Sequence, residues 1–335
     1  MSTIKNQLKI AHNKLIKKNI SSAYLDTELL LSFVIGKPRE YILAHLDFKL
    51  TKNQILKFNK LIAARAKNIP LAYLTQVKEF YGRNFYIDRR VLVPRPETEM
   101  IIEECKMQNE ECRMKNAPAC RRGRECKNNT YVIDVGTGSG CIIITLTKEL
   151  KYKNLKFLAT DISKDALTVA RKNAKLHGVD KKIKFLQGNL LDPILKNKKF
   201  VIRHLPAACL SGRQGRQGSS FVICANLPYL TPVQIKNSPT IKYEPKLALS
   251  AGKDGLKYYR KLAKQLSCFC HCEESARFAL AKARRATKQS RPKITLLCEI
   301  DPKQSNAIKT IFSFAKNITI KKDLAGRDRL AIIKL

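Results

Sequence analysis

Tyr131-Val132-Ile133-Asp134-Val135-Gly136-Thr137-Gly138-Ser139-Gly140, running on into Cys141-Ile142-Ile143-Ile144-Thr145-Leu146, is the stretch that decides the fold. Its first five residues are an apolar run broken by one acid, the pattern of a parallel strand buried on both faces. Three glycines at alternate positions then strip the Cβ atoms from a turn, and the spacing predicts a helix over 141–150. Strand, glycine turn and helix form the context in which a nucleotide-type cofactor lies against bare backbone at a helix N-terminus. Gly136, Thr137, Gly138, Ser139 and Gly140 are therefore candidate cofactor-binding residues.

Reading toward the C-terminus, residues 155–161 form a second strand that ends in Asp161, 23 residues after Gly138. An acid there can accept both hydroxyls of a ribose. A helix over 163–177 leads to a third strand over 182–187 and then to Gly188-Asn189-Leu190-Leu191-Asp192. Asn189 is placed to reach an adenine amino group, with Leu190 over the ring face. This much suits a nicotinamide enzyme or a methyltransferase. The spacing Gly-x-Gly-x-Gly differs from the six-residue dinucleotide fingerprint, and no arrangement for hydride chemistry accompanies it. That favours S-adenosylmethionine over NAD.

A fourth strand over 221–225 delivers Asn226-Leu227-Pro228-Tyr229 to the carboxyl edge of the sheet, beside the cofactor. A conjugated amide or amino nitrogen is a poor nucleophile because its lone pair is delocalised. Two carbonyl acceptors, the Asn226 side-chain oxygen and the Leu227 backbone oxygen, can orient both of its N–H bonds. The lone pair then faces a sulfonium methyl for in-line transfer, and positioning supplies much of the catalysis. Pro228 stiffens the loop. Tyr229 offers a flat face to the planar group and a π-cloud to the cation. Asn226, Leu227, Pro228 and Tyr229 are the candidate catalytic and substrate-binding residues, with Asn226 also against the cofactor.

Residues 1–78 read as a small all-α bundle. Ser2 is the expected cap of a first helix with Ile4, Leu8, Ala11 and Leu15 on one face. Residues 23–35 are richly apolar and read as a buried helix. Pro38 opens a short third helix at its first position, and Thr51 with Gln54 makes a capping box for a fourth that Pro70 closes. Residues 79–99 switch to strand periodicity and read as a connecting β-hairpin turning at Gly82-Arg83-Asn84. It ends in Val93-Pro94-Arg95-Pro96-Glu97-Thr98-Glu99, where acids begin a helix. Residues 100–335 are the remaining domain.

Lys and Arg number 65 against 27 Asp and Glu, a net charge of +38. Such a field draws polyanions and is compatible with ribosome or RNA proximity, although lysines on solvated faces give the same count. No apolar run approaches the roughly 18 residues of a membrane span. Eleven cysteines without disulfide-framework spacing, and no secretory signal, point to a reducing cytoplasm. The first 25 residues hold five lysines but no arginine, which disfavours an organelle transit peptide. Three stretches near 107–127, 201–220 and 267–292 reverse the general preference for Lys over Arg and hold seven of the cysteines. They read as surface insertions. Cys268, Cys270, His271 and Cys272 raise zinc as an alternative for the third, but lack the two-residue spacer of a structural knuckle. No metal is expected. The Thr231–Thr240 stretch reads as a loop that orders on substrate binding.

The chain resembles the HemK/PrmC family of peptide chain release factor glutamine methyltransferases. The resemblance rests on the helical front, Pro94-Arg95-Pro96-Glu97-Thr98-Glu99, the glycine turn, Asp161 and Asn226–Tyr229. It continues through Tyr243-Glu244-Pro245, Asp254-Gly255-Leu256, the late strand over 294–299 and Asp323-Leu324-Ala325-Gly326-Arg327-Asp328-Arg329. It implies a helical N-terminal domain on a seven-stranded Rossmann-like methyltransferase sheet. It also implies methyl transfer from S-adenosylmethionine to the glutamine of a Gly-Gly-Gln motif in release factors. Gly136–Gly140 and Asp161 would hold the cofactor, and Asn226–Tyr229 the glutamine. Leu227 departs from the family's Asn-Pro-Pro-Tyr, keeping the carbonyl while reducing loop stiffness. Asn189-Leu190 departs where relatives can carry an acid and an aromatic. A ribosomal-protein glutamine, adenine N6 of a nucleic acid, and a non-catalytic ribosome- or RNA-binding role are the rival readings.

Overall fold

The computed structural model describes residues 2–108, 130–151, 154–197, 220–238, 241–271 and 293–335. The three Arg- and Cys-rich stretches lie almost wholly outside the described residues, as do the side chains of Cys268, Cys270, His271 and Cys272. Among the described residues, no helix is long and apolar enough to cross a membrane.

The front of the chain forms α1 (Ile4–Ile16), α2 (Ala23–Ile35), α3 (Arg39–Ala44), α4 (Lys52–Arg65) and α5 (Leu71–Thr75). Ile4, Ala11 and Leu15 of α1 meet Leu30 and Leu31 of α2 and Phe58 and Ile62 of α4 in one apolar cluster. Each such side chain contributes about 1.5–3 kcal/mol by leaving water. The cap of α1 is Thr3, not Ser2: its hydroxyl accepts from the Asn6 N–H at 3.3 Å. Ser2 is engaged elsewhere, its carbonyl accepting from the Leu50 N–H and its hydroxyl from the Gln7 side chain. Pro38 likewise caps α3 from outside the helix, whereas both halves of the Thr51–Gln54 capping box form as expected. Burial of α2 is one-sided, with Tyr24, Leu25 and Phe33 exposed. Its inner face instead carries Asp26, which pairs with Arg65 of α4 at 2.7 Å.

The connecting hairpin consists of β1 (Val77–Phe80) and β2 (Arg83–Tyr86), paired antiparallel. The turn is Tyr81-Gly82, one position earlier than expected, and both residues have positive φ, the type I′ geometry that matches strand twist. Val91 and Val93 are buried without a strand partner. The Val91 N–H donates to the Asp88 carbonyl in a local turn, while the Val91 carbonyl accepts from the Tyr73 hydroxyl and the Val93 N–H donates to Glu244. A 3₁₀ turn, Pro96–Thr98, then leads into α6, residues 99–108.

Beyond it lie β3 (Thr130–Val135), α7 (Cys141–Glu149), β4 (Leu155–Asp161), α8 (Lys164–Leu176), β5 (Ile183–Gln187), β6 (Ser220–Ala225), β7 (Ile294–Glu299), β8 (Asn317–Lys322) and β9 (Asp328–Lys334). They build a seven-stranded sheet in the order β5-β4-β3-β6-β7-β9-β8, parallel except for β9. Strand period two divides β3 between two cores. Val132 faces the layer with Phe80, Phe85, Ile101 and α7, while Ile133 faces the layer with Tyr259, Leu262 and Phe312. Strand order reverses on either side of β3, so a crevice opens at the carboxyl ends of β3 and β6. The stretch read as a loop after β6 contains a short helix, Pro232–Lys236, with its own Thr231–Gln234 capping box; residues 239 and 240 lie outside the described residues.

Asp26→Ala leaves Arg65 buried without its counter-charge and should lower stability by about 3 kcal/mol. Urea unfolding measures this directly, and an unchanged midpoint would show that the pair contributes nothing to holding α2 against α4.

Candidate active site

The glycine turn caps the carboxyl end of β3. The Gly136 and Thr137 N–H groups both donate to the Thr160 carbonyl, at 2.8 and 3.0 Å, which folds the turn across the end of β4. Gly138 has φ +53°, and no heavy atom lies within 4 Å of where its Cβ would stand. This is bare backbone facing open space. The Gly138 N–H donates to one oxygen of Asp161 at 2.9 Å, and the Ser163 N–H, at the start of α8, donates to the other at 2.8 Å. Burial raises the Asp161 carboxyl above its ordinary range, and the Ser163 and Gly138 N–H groups oppose that rise. Each oxygen retains a lone pair that can accept a further hydrogen bond.

Behind the turn, Thr137 donates its hydroxyl to Asp134 at 2.6 Å. Asp134 is fully buried, its second oxygen has no hydrogen-bond partner among the described residues, and desolvation pushes its carboxyl up to about 7 against the opposing pull of Thr137 and the Ile143 backbone. Ser139 is also buried, and its carbonyl accepts from Asn173 of α8 at 2.8 Å. Asn173 additionally exchanges two bonds with the Tyr86 backbone, fastening the hairpin to the back of the glycine turn.

Asn189 and Leu190 lie at the end of β5, on the neighbouring loop. The Asn189 carbonyl and the Leu191 N–H are both held by the Gln265 side chain, which also donates to Asp192. Leu190 is buried among Leu191, Ile194 and Ala225, at φ +54°. A left-handed leucine costs about 1–3 kcal/mol and persists only where its surroundings over-determine it. Gln265 holds the backbone on either side of Leu190, and the apolar core holds its side chain.

Asn226, Leu227, Pro228 and Tyr229 follow β6 at the lip of the crevice. Asn226 donates its amide N–H to the Thr98 hydroxyl at 2.9 Å, and Thr98 donates in turn to Glu299 at 2.6 Å. Tyr229 donates its hydroxyl to the other Glu299 oxygen at 3.0 Å. Burial and the Glu299 charge hold the Tyr229 phenol far above its ordinary value. Leu227 is 2% exposed, and its side chain is the nearest group to the missing Gly136 Cβ, at 3.6 Å. Among the described residues no group donates to the Leu227 carbonyl or to the Asn226 side-chain oxygen. The Tyr229 carbonyl accepts from Gln304 at 3.1 Å. It passes so close to Gly255 that an added Cβ would stand 2.3 Å from it, so only glycine fits there.

All the residues singled out from sequence thus stand along one carboxyl edge. Sequence reasoning missed Thr98, Glu299, Asn173, Gln265 and Gln304. Thr98 was visible only as part of a quoted motif, and Glu299 as a lone acid ending an apolar strand. Glu244 and Arg95 lie in stretches to which the sequence pattern assigns no role. Arg95 donates to Glu244 at 2.5 Å, and Glu244 is buried.

The description "PrmC N-terminal domain" matches residues 7–75, and "Methyltransferase domain" matches residues 126–210. A release factor glutamine methyltransferase of Dictyoglomus turgidum is 36% identical over 75% of this chain and 76% of its own length. One of the same description from Clostridium acetobutylicum is 27% identical over 98% of this chain and 97% of its own. A bifunctional methyltransferase of Rickettsia conorii is 33% identical over 98% of this chain, which spans only 57% of that protein's length.

Asp134 generates a pH signature. In the native protein it holds its proton up to about 7, whereas the unfolded chain releases it near 3.8. Between those values the native state carries a proton that the unfolded state has lost, so stability falls as pH rises. Asp134→Asn should flatten that fall when urea midpoints at mildly acidic and neutral pH are compared; parallel slopes for both proteins would refute the assignment.

Proposed function

The chain belongs to the release factor glutamine methyltransferase family, and from that premise we propose that it methylates the side-chain nitrogen of the glutamine in the Gly-Gly-Gln motif of peptide chain release factors. S-adenosylmethionine is the methyl donor. The observation that carries this reading is the pair of carbonyl oxygens at the lip. Asn226 spends its N–H on Thr98, which leaves its oxygen, together with the Leu227 carbonyl, to accept from a primary carboxamide.

The residues present fit the donor. Gly138 offers open backbone, and Asp161 has two oxygens with capacity to accept ribose hydroxyls. When bound, S-adenosylmethionine supplies an electrophilic methyl group on a positively charged sulfur. The chain's own work is positional. Asn226 and Leu227 take the two N–H bonds of the glutamine amide, which fixes the plane of the nitrogen and directs its lone pair across the crevice. Tyr229, locked by its bond to Glu299, presents an aromatic face beside that plane. No strong base is required, because the nitrogen becomes acidic once alkylated and can lose its proton to water.

Incubation with labelled S-adenosylmethionine and, separately, release factor, ribosomal proteins and nucleic acid tests the reading. Label should appear on release factor and vanish when its glutamine is replaced; label on ribosomal protein or nucleic acid alone would overturn the proposal. Asn226→Ala should lower transfer by about 100-fold or more, the scale of losing one preorganised polar contact to the reacting group, while cofactor affinity is kept. Asp161→Ala should instead weaken cofactor binding, read by titration calorimetry.

A further inference from the structure

Glu299 ends β7 with 2% of its surface exposed. Its two oxygens face two hydroxyls, those of Thr98 and Tyr229. Burial raises the Glu299 carboxyl above its ordinary range, and the Thr98 and Tyr229 hydroxyls and the Arg329 charge oppose that rise; as a carboxylate it can only accept, so both hydroxyls then donate to it. Thr98 has a single proton. Once that proton is committed to Glu299, the Thr98 oxygen can only accept from Asn226. The Asn226 amide must then turn its N–H₂ toward Thr98 and its oxygen away.

We propose that Glu299, acting through Thr98, sets the hydrogen-bond polarity of Asn226 and so makes it an acceptor at the methyl-transfer site. Glu299 and Thr98 are positioning residues, because neither needs to touch the substrate. This inference rests on the acceptor role given to Asn226 above. The alternative polarity would be chemically wrong: an Asn226 turned about its Cβ–Cγ axis would present N–H₂ to a substrate N–H₂, donor against donor. A side-chain amide has nearly the same shape either way round, so packing alone cannot choose, and the choice falls to the network. The same carboxylate fixes Tyr229, so one buried charge orients both polar side chains of the lip.

The network itself suggests the variants. Glu299→Gln keeps the size but replaces one acceptor by a donor. When that amide donates to Thr98, the Thr98 proton is freed to donate to Asn226, and Asn226 reverses. Thr98→Val removes the link while keeping the shape, and Thr98→Ser restores it. Transfer to release factor should show kcat lowered by about 100-fold in Glu299→Gln and Thr98→Val, the cost of misplacing a reacting group. KM for the cofactor should stay near wild type, and Thr98→Ser should recover most of the rate.

A second readout is independent of turnover. In protein labelled with ¹⁵N-asparagine, the Asn226 side-chain amide should be protected from exchange, and Glu299→Gln or Thr98→Val should abolish the protection. Retention of both kcat and amide protection in these two variants, with folding confirmed by unfolding midpoints, would overturn the proposal. So would a Thr98→Ser protein as slow as Thr98→Val. If the wild-type protein methylates no release factor, the functional reading fails by itself, and the amide protection still decides whether Glu299 sets the polarity.

Discussion

A buried carboxylate must be satisfied by donors, and Glu299 at the end of β7 imposes that requirement on everything around it. Its donors come from the 3₁₀ turn before α6 and from the loop after β6, segments that the chain order keeps far apart. A second buried acid, Glu244, makes the same demand nearby, accepting from the Val93 N–H and from Arg95. Between them the two acids hold residues 93–98 against the sheet without any strand pairing. Removing the partner of a buried charge typically costs several kcal/mol, so the position of this connection is strongly determined.

That connection is also where the helical front meets the sheet. Tyr73 of α5 donates to the Val91 carbonyl, and Tyr243, next to Glu244, donates to the Lys67 carbonyl just beyond α4. The bundle and the Asn226 loop are thus both referenced to one short run of backbone. Hydrogen bonds to backbone carbonyls thus register the helices against the crevice.

The sheet was legible in the sequence because its signals are local. Apolar runs of strand length, a glycine turn and an acid at the end of the next strand each declare themselves within a short window, and β3, β4 and β7 fall where the pattern puts them. The lip residues were legible for the same reason: Asn226–Tyr229 is a contiguous motif after a strand. The network that orients them was not. Thr98 lies 128 residues from Asn226 and 201 from Glu299, and no local pattern links them. The far end of the hairpin is absent although Val91 and Val93 alternate like a strand, because a local turn to Asp88 and the distant side chains of Tyr73 and Glu244 take the backbone groups instead. The cap of α1 was misplaced by one residue for a similar reason, since the pairing of Ser2 with Leu50 is a tertiary contact.

Leu227 shows how packing can stand in for a backbone constraint. The sequence suggests a looser loop, because leucine lacks the fixed φ of the proline found in the related motif. Proline at a compatible site contributes about 0.4–1 kcal/mol, chiefly by restricting the unfolded chain. Burial of a leucine contributes about 1.5–3 kcal/mol, and Leu227 is buried among Val135, Ala225 and Leu256 against the glycine turn. The larger quantity acts in the folded state, where it pins the loop to the backbone that faces the cofactor. Downstream, Gln304 grips the Tyr229 carbonyl, and Gly255 leaves room for that grip. Rigidity at the lip therefore comes from the side chain on one flank and from a hydrogen bond on the other, while no group among the described residues donates to the Leu227 carbonyl between them.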